Sequence, residues 1–316
     1  MYEVSQVLSR LDVAFDDPKS VASAGLILPM SVAQQLGVEQ LIDEVLPSTG
    51  YGGHRNGGAK ALTLVSSLLA GGEFISDVAV LGSGATGRVL GHRVVSPSRC
   101  GQWLRLLTAA DVSALSWVNS ALVASAWRAR LGPDTDGGGE PGSAGSDGNR
   151  LVLDIDSTVI ETYGDHKEGT SRRNYQGVKG YHPLLLAEAS TGQVISGMLR
   201  DGNAAPAKDA ASFVDDTLNR VSKSVAADTN TVLRADSGFY TKGVVEACIN
   251  NNVHYTITIR QYRSVRQLIN DIPNNQYQRV SRTATEQVDI AGVDYQIKGR
   301  AGTDPIDCRL IIHAPI

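Results

Sequence analysis

Two aspartates stand where metal-dependent phosphoryl chemistry can be built. Asp156 lies in the run LDIDST and Asp236 in VLRADSGFY. If the strands that carry them are neighbours in one sheet, the two carboxylates meet at one sheet edge. Like charges that close are costly unless a hard divalent cation neutralises them. The chemistry suited to such a pair is phosphodiester hydrolysis or strand transfer, in which one metal activates the attacking oxygen and another stabilises the leaving oxygen. Asp154 is two residues before Asp156 and so shares its strand face, which makes it an alternative ligand. Plainer readings exist for all three. Asp154 or Asp156 could be a hydrogen-bonding residue at a strand end, and Asp236 a turn aspartate before Ser-Gly. For the first pair, charge inside an otherwise apolar strand favours function.

The elements around these residues say how they are positioned. Leu151 to Ile160, Pro183 to Ala189 and Gln193 to Leu199 read as strands, the last two joined by the turn residues Ser190, Thr191 and Gly192. A helix from about Ala207 to Val221, a strand Thr231 to Ala235, a helix Lys242 to Asn250 and a strand His254 to Ile259 follow. Three antiparallel strands followed by helix, strand, helix, strand is the order of an RNase H-like domain. In that sheet the strands bearing Asp156 and Asp236 are neighbours. The expected fold class is therefore α/β, a mixed sheet flanked by helices.

The first half reads differently. Ser31 is placed to cap a helix through VAQQLGVEQLIDEVL, and Ala59 to Leu69 and Val112 to Arg130 continue in helical style after a Gly-rich turn, YGGHRNGG. The stretch 132–149, rich in Gly, Pro, Ser and Asp, reads as a flexible linker. The expected organisation is a helical region over 1–131, the linker at 132–149, the α/β core over 150–260 and a β-rich segment over 261–316.

Composition sets limits. The net charge of −4 argues mildly against nucleic acid, but a local basic face is what such binding needs. Three distant cysteines and six unclustered histidines make a disulfide framework or a zinc site improbable. No run of 18 or more uncharged apolar residues is present, and the N-terminus lacks the pattern of a secretory signal, so a cytoplasmic protein is expected. GSGATG at 82–87 matches a dinucleotide-binding spacing but lacks the helix and acidic residue that should follow, and reads as a loop. VAQQLGVEQLI has some helix-turn-helix flavour, but its acidic residues make a poor phosphate-facing surface, and one helix interrupted at Gly37 is the favoured reading.

LDIDSTVIETYG, NYQGVKGYHPLLLAEASTGQVISGMLRDGNA and LRADSGFY, in that order, resemble transposases of the IS1380 group within the IS4-like DDE superfamily. The resemblance extends from about residue 20 to the end, through LILPMSVAQQLGV, GGEFISDVAVL and SPSRCGQWLRLLT. It implies an RNase H-like catalytic core and cut-and-paste chemistry at inverted-repeat ends with Mg²⁺, for which Mn²⁺ substitutes. It aligns Asp156 with the first acidic position and Asp236 with the second. It also implies a glutamate on a later helix, in a Tyr-x2-Arg-x3-Glu-x6-Lys string, and no such string occurs here. The acids after Arg260 are Asp271, Glu286, Asp289, Asp294, Asp304 and Asp307, none in that context. Glu286 falls in an alternating strand pattern. The expectation is that the sequence stops before the third carboxylate and that this chain alone has little or no activity.

The implied partner is double-stranded DNA carrying terminal inverted repeats, in a bacterial, nucleoid-associated setting, with homodimerisation left open. Arg99, in the first turn of a helix that Ser96 or Ser98 could cap, is a candidate phosphate contact. Arg172, Arg173, Tyr175 and Lys179 form a basic loop with an aromatic residue, suited to a DNA end or a flipped base. Arg200, at the end of the third strand, is a further candidate, although a turn is its simpler reading. Two other functions stay open: a non-catalytic DNA-binding remnant that inhibits an intact transposase, and a stand-alone RNase H-like nuclease.

Overall fold

The computed structural model describes residues 17–46, 55–129, 150–163, 167–282, 287–298 and 304–315. The chain divides into two compact units, Met1–Ser125 and Ala126–Ile316. The expected linker at 132–149 and Glu286 lie outside the described residues.

The first unit is helical. Helices α1 (Ile27–Gln35), α2 (Val38–Val45), α3 (Gly57–Leu69), α4 (Thr86–Val89), α5 (Pro97–Leu106) and α6 (Ala109–Arg128) follow in chain order, the last running across the unit boundary. Three apolar clusters hold this unit together. Leu26, Met30, Leu62, Leu81 and Leu90 form one; Ile42, Leu46, Trp103 and Val118 a second; Ala59, Val78, Val95 and Cys100 a third. The expected helix start at Ser31 is corrected. Ser31 sits inside α1, its hydroxyl donating to the Ile27 carbonyl one turn back. Gly37, at φ +67°, ends one helix and begins the next.

The second unit is built on a five-stranded mixed sheet. Its strands are β1 (Arg150–Ser157), β4 (Leu184–Glu188), β5 (Val194–Met198), β6 (Asn230–Ala235) and β7 (His254–Ile257), and a two-stranded ribbon of β2 (Ile160–Glu161) and β3 (Gly180–Tyr181) lies beside it in the chain. The spatial order is β5-β4-β1-β6-β7. β1 pairs antiparallel with β4 and parallel with β6, so the first strand is central. Helices α7 (Ala210–Ser222) and α8 (Lys242–Asn250) pack on each other and reach β5 and β7 respectively. Alternation explains β1: Leu151, Leu153 and Ile155 are buried, while Val152, Asp154 and Asp156 take the other face. Val244, Val245 and Cys248 on α8 and Phe213, Val214 and Leu218 on α7 are buried. Burial pushes the Cys248 thiol up to about 12, which leaves it an inert core residue.

Beyond β7 the chain was expected to be mostly short strand-like pieces. It contains an α-helix, α9 (Arg263–Asn270), before a three-stranded antiparallel sheet of β8 (Gln278–Arg282), β9 (Gln287–Ile297) and β10 (Ile306–Pro315). No single described helix is long and apolar enough to cross a membrane.

The β4–β5 turn shows how a single acidic side chain fixes register. Glu188 is 2% exposed, and its carboxylate accepts from the amides and hydroxyls of Ser190 and Thr191 at 2.6–2.9 Å. Burial alone raises its pKa, but these four donors outweigh it and hold the carboxyl below the usual glutamate value. A lowered folded pKa contributes stability that is present above the unfolded value and is lost as pH falls through the folded one. Glu188→Ala should cost roughly 1–3 kcal/mol at neutral pH. In urea titrations the gap from the parent should narrow as pH drops below the ordinary carboxylate range; a gap independent of pH contradicts this account.

Candidate functional site

β1 and β6 run parallel with Ile155 opposite Ala235, so Asp156 and Asp236 each come one residue after the last paired position. Asp236 keeps an extended backbone, φ −78° and ψ 178°, so strand alternation carries through it. Both aspartates therefore fall on the same face at the carboxyl ends of adjacent strands, separated by about one strand spacing, roughly 5 Å. Both are exposed.

Each carboxylate is oriented by a backbone amide that follows it in the chain. Asp156 Oδ1 accepts from the Ser157 amide at 2.7 Å, and Asp236 Oδ1 accepts from the Gly238 amide at 2.8 Å. Asp236 thereby caps the single 3₁₀ turn Ser237–Phe239, and the fully buried Phe239 pins that turn to the core. The second oxygen of each carboxylate has no hydrogen-bond partner among the described residues. Two hard oxygen donors with a free lone-pair face fit a divalent cation such as Mg²⁺ or Mn²⁺. Among the described residues no group of three or more His, Cys, Asp or Glu is placed to hold one.

Asp154 is engaged elsewhere. Opposite it in register is Arg234, whose Nε and Nη2 donate to Oδ1 and Oδ2 at 2.7 and 2.6 Å. This planar two-bond pairing occupies both oxygens.

The basic loop between β2 and β3 is internally braced. Asn174 Nδ2 donates to the carbonyls of Ser171 and Val178, Asn174 Oδ1 accepts from the Gln176 amide, and Ser171 pairs with Gly180. The Thr162 amide, in the segment that follows β1, donates to the Lys179 carbonyl. The brace leaves Arg172, Arg173 and Tyr175 exposed, Tyr175 at 70%, with Lys179 half-buried. In the other unit, Arg99 is exposed in the first turn of α5, where Ser96 is the cap residue and Pro97 the first helical residue.

Arg200 is the one DNA-contact candidate that the structure corrects. It is 6% exposed, and its guanidinium donates to the carbonyls of His182, Ala205, Pro206 and Lys208 at 2.6–3.1 Å. A side chain committed to four backbone carbonyls holds a loop and does not face a phosphate. Sequence reasoning missed Arg234, His182 and this role of Arg200. Only the pairing of Asp154 with Arg234 had a signal, since each is a charge inside an apolar strand.

A cavity of about 340 Å³, lined by Tyr240, Tyr255, Tyr295, Val265, Ile269 and Cys308 among others, contains no carboxylate. The carboxylate chemistry does not belong to it.

The family model described as transposase DDE domain group 1 matches residues 6–301. No curated protein matches the chain. Among solved structures, the chain is similar to a piggyBac transposase synaptic complex with hairpin DNA, at 13% identity and TM-score 0.35, covering 90% of this chain and 60% of that one. It is also similar to the Mos1 transposase paired-end complex with left transposon end, at 10% identity and TM-score 0.24, covering 67% of this chain and 70% of that one.

Proposed function

This chain belongs to the group 1 family of transposase DDE domains, and we propose that it carries the RNase H-like metal-binding core of a cut-and-paste DNA transposase of the IS1380 group. The observation that carries the reading is the placement of Asp156 and Asp236 on one face at the ends of adjacent parallel strands. The strand order β5-β4-β1-β6-β7 supports the RNase H-like assignment to residues 150–260. Residues 1–131 then supply a helical DNA-binding region, and 261–316 a β-rich insertion. DDE transposase domains generally use divalent metal ions. Asp156 and Asp236 are the ligands in this reading, and Asp154 is set aside because both its oxygens are taken by Arg234.

When bound, such an ion stabilises charge on the attacking and leaving oxygens of a phosphodiester. The chain's own residues do the rest. The Ser157 and Gly238 amides hold the carboxylates in place, Arg172 and Arg173 bind phosphates beside the site, and Tyr175 offers a ring for an unpaired base. Arg99 is the corresponding phosphate contact of the helical unit. Terminal inverted repeats are the intended duplex, and pairing of two ends by a homodimer is part of the same proposal.

Two carboxylates bind a divalent ion weakly, and the Tyr-x2-Arg-x3-Glu-x6-Lys string is absent from these 316 residues. With only these two carboxylates placed at the site among the described residues, a second reading is a DNA-binding chain that occupies repeat ends without cutting them. A labelled duplex bearing the element's repeats, incubated with Mg²⁺ or Mn²⁺ beside Asp156→Ala, separates the two. Nicking lost in the variant supports the first, and a metal-independent shift without nicking supports the second. Failure to bind repeat DNA at all contradicts both.

The basic loop gives its own prediction. The double variant Arg172→Ala/Arg173→Ala should weaken binding to any duplex and flatten the salt dependence, its log–log slope falling by roughly 2. An unchanged slope in fluorescence-anisotropy titrations removes this loop from the interface.

A further inference from the structure

We propose that Arg200 is a positioning residue for the second aspartate, acting through Pro206, and that its buried node ties the basic loop to that carboxylate. The inference rests on the two-aspartate reading above.

After β5 the chain runs without strand or α-helix to α7 at Ala210, and this segment is folded around the Arg200 side chain. Nε donates to the His182 carbonyl, and Nη1 alone gathers the carbonyls of Ala205, Pro206 and Lys208. A charged donor of this kind holds several carbonyls at once, its two N–H bonds shared among the three. Pro206 is thereby set against Gly238. A Cβ added at Gly238 stands 3.0 Å from Pro206 Cβ and 3.0 Å from Asp236 Oδ1, so no side chain fits between them without displacement. The Gly238 amide is the donor that orients Asp236. The route from guanidinium to carboxylate is three contacts long: Arg200 to the Pro206 carbonyl, the Pro206 ring to Gly238, and the Gly238 amide to Asp236.

The other side of the node reaches the basic loop. His182 Nδ1 donates to the Ala204 carbonyl at 2.7 Å, and its ring lies 5.9 Å from that of Tyr175. Gly202 sits against the root of the loop, where an added Cβ would collide with the Gly180 carbonyl and stand 2.7 Å from the Ser171 amide. One buried assembly therefore braces both the residues proposed to bind DNA and the aspartate proposed to bind metal. His182 Nε2 and Arg200 Nη2 are buried without hydrogen-bond partners. Unpaired buried polar atoms cost stability, a cost set against the four carbonyls that the guanidinium satisfies. Geometry is the property the node supplies.

The test is Mn²⁺ affinity, read from the electron paramagnetic resonance signal of free Mn²⁺, with thermal unfolding followed in parallel. Asp236→Ala tests the underlying reading; Arg200→Lys and Gly238→Ala test the inference. Arg200→Lys keeps the positive charge but loses the planar fork, and Gly238→Ala pushes on the same contact from the other side. Each should weaken Mn²⁺ binding on the order of tenfold. The double variant should lose less than the product of the two, because both act through one contact. Affinity unchanged in Gly238→Ala, or in an Arg200→Lys chain whose melting temperature has fallen, overturns the inference and leaves Arg200 a structural residue. Mn²⁺ binding that survives Asp236→Ala removes the two-aspartate reading, and the inference with it.

Discussion

Asp156→Ala and Asp236→Ala are each expected to abolish site-specific divalent-cation binding, a loss larger than the tenfold to hundredfold typical of residues behind the ligands. With two carboxylates and no third acidic or histidine ligand among the described residues, removing either leaves a single carboxylate on the surface. One exposed carboxylate competes poorly with water for a hydrated cation. Asp154→Ala is the control on the same strand face. It breaks an exposed ion pair with Arg234 worth at most about 1 kcal/mol, and it should leave cation affinity within about twofold because Asp154 is not a ligand in this account. Calorimetric titration with Mn²⁺ checks all three variants. If Asp154→Ala loses the binding and Asp156→Ala keeps it, the choice of Asp156 over Asp154 as the ligand is reversed.

Phe239→Ala is expected to destabilise the second unit by about 3–5 kcal/mol. Phe239 is the largest side chain buried to completion among the described residues, and it closes the 3₁₀ turn that Asp236 caps. Against a typical domain stability of about 5–15 kcal/mol, that is a large fraction of the total. The consequence is functional as well as structural, since the ring anchors the turn whose Gly238 amide orients the carboxylate. Phe239→Leu, which retains most of the volume, should cost clearly less and leave the turn formed. Urea unfolding monitored by circular dichroism measures both. A loss under about 1 kcal/mol for the alanine variant means the turn is held by other contacts.

The sheet was readable where local chemistry and tertiary packing agree. The alternating apolar residues of β1 and the Ser190-Thr191-Gly192 turn between β4 and β5 are each local signals, and Gly192 takes φ +70° as such a turn requires. The position of Asp236 at a strand end was readable for the same reason. Arg200 was misread because residue type favours exposure for arginine, whereas its burial is decided by carbonyls of the segment that follows it. Those carbonyls converge only after 200–208 has folded back. The engagement of Asp154 depends on strand register with a residue 80 positions away, which periodicity does not reveal. The helix α9 was missed although Val265, Leu268 and Ile269 stand at helical spacing, because its eight residues are fewer than the window over which helical periodicity is read. In the first unit, Ser31 looked like a cap by type, but the helix begins four residues earlier at Ile27.

The most direct test of the central claim is an anomalous difference map from a crystal of this chain soaked in Mn²⁺. The account predicts a peak between the carboxylates of Asp156 and Asp236, on the strand face they share, with Asp154 still paired to Arg234. A peak at Asp154, or none near Asp156 and Asp236 at a concentration that saturates the solution titration, would contradict it.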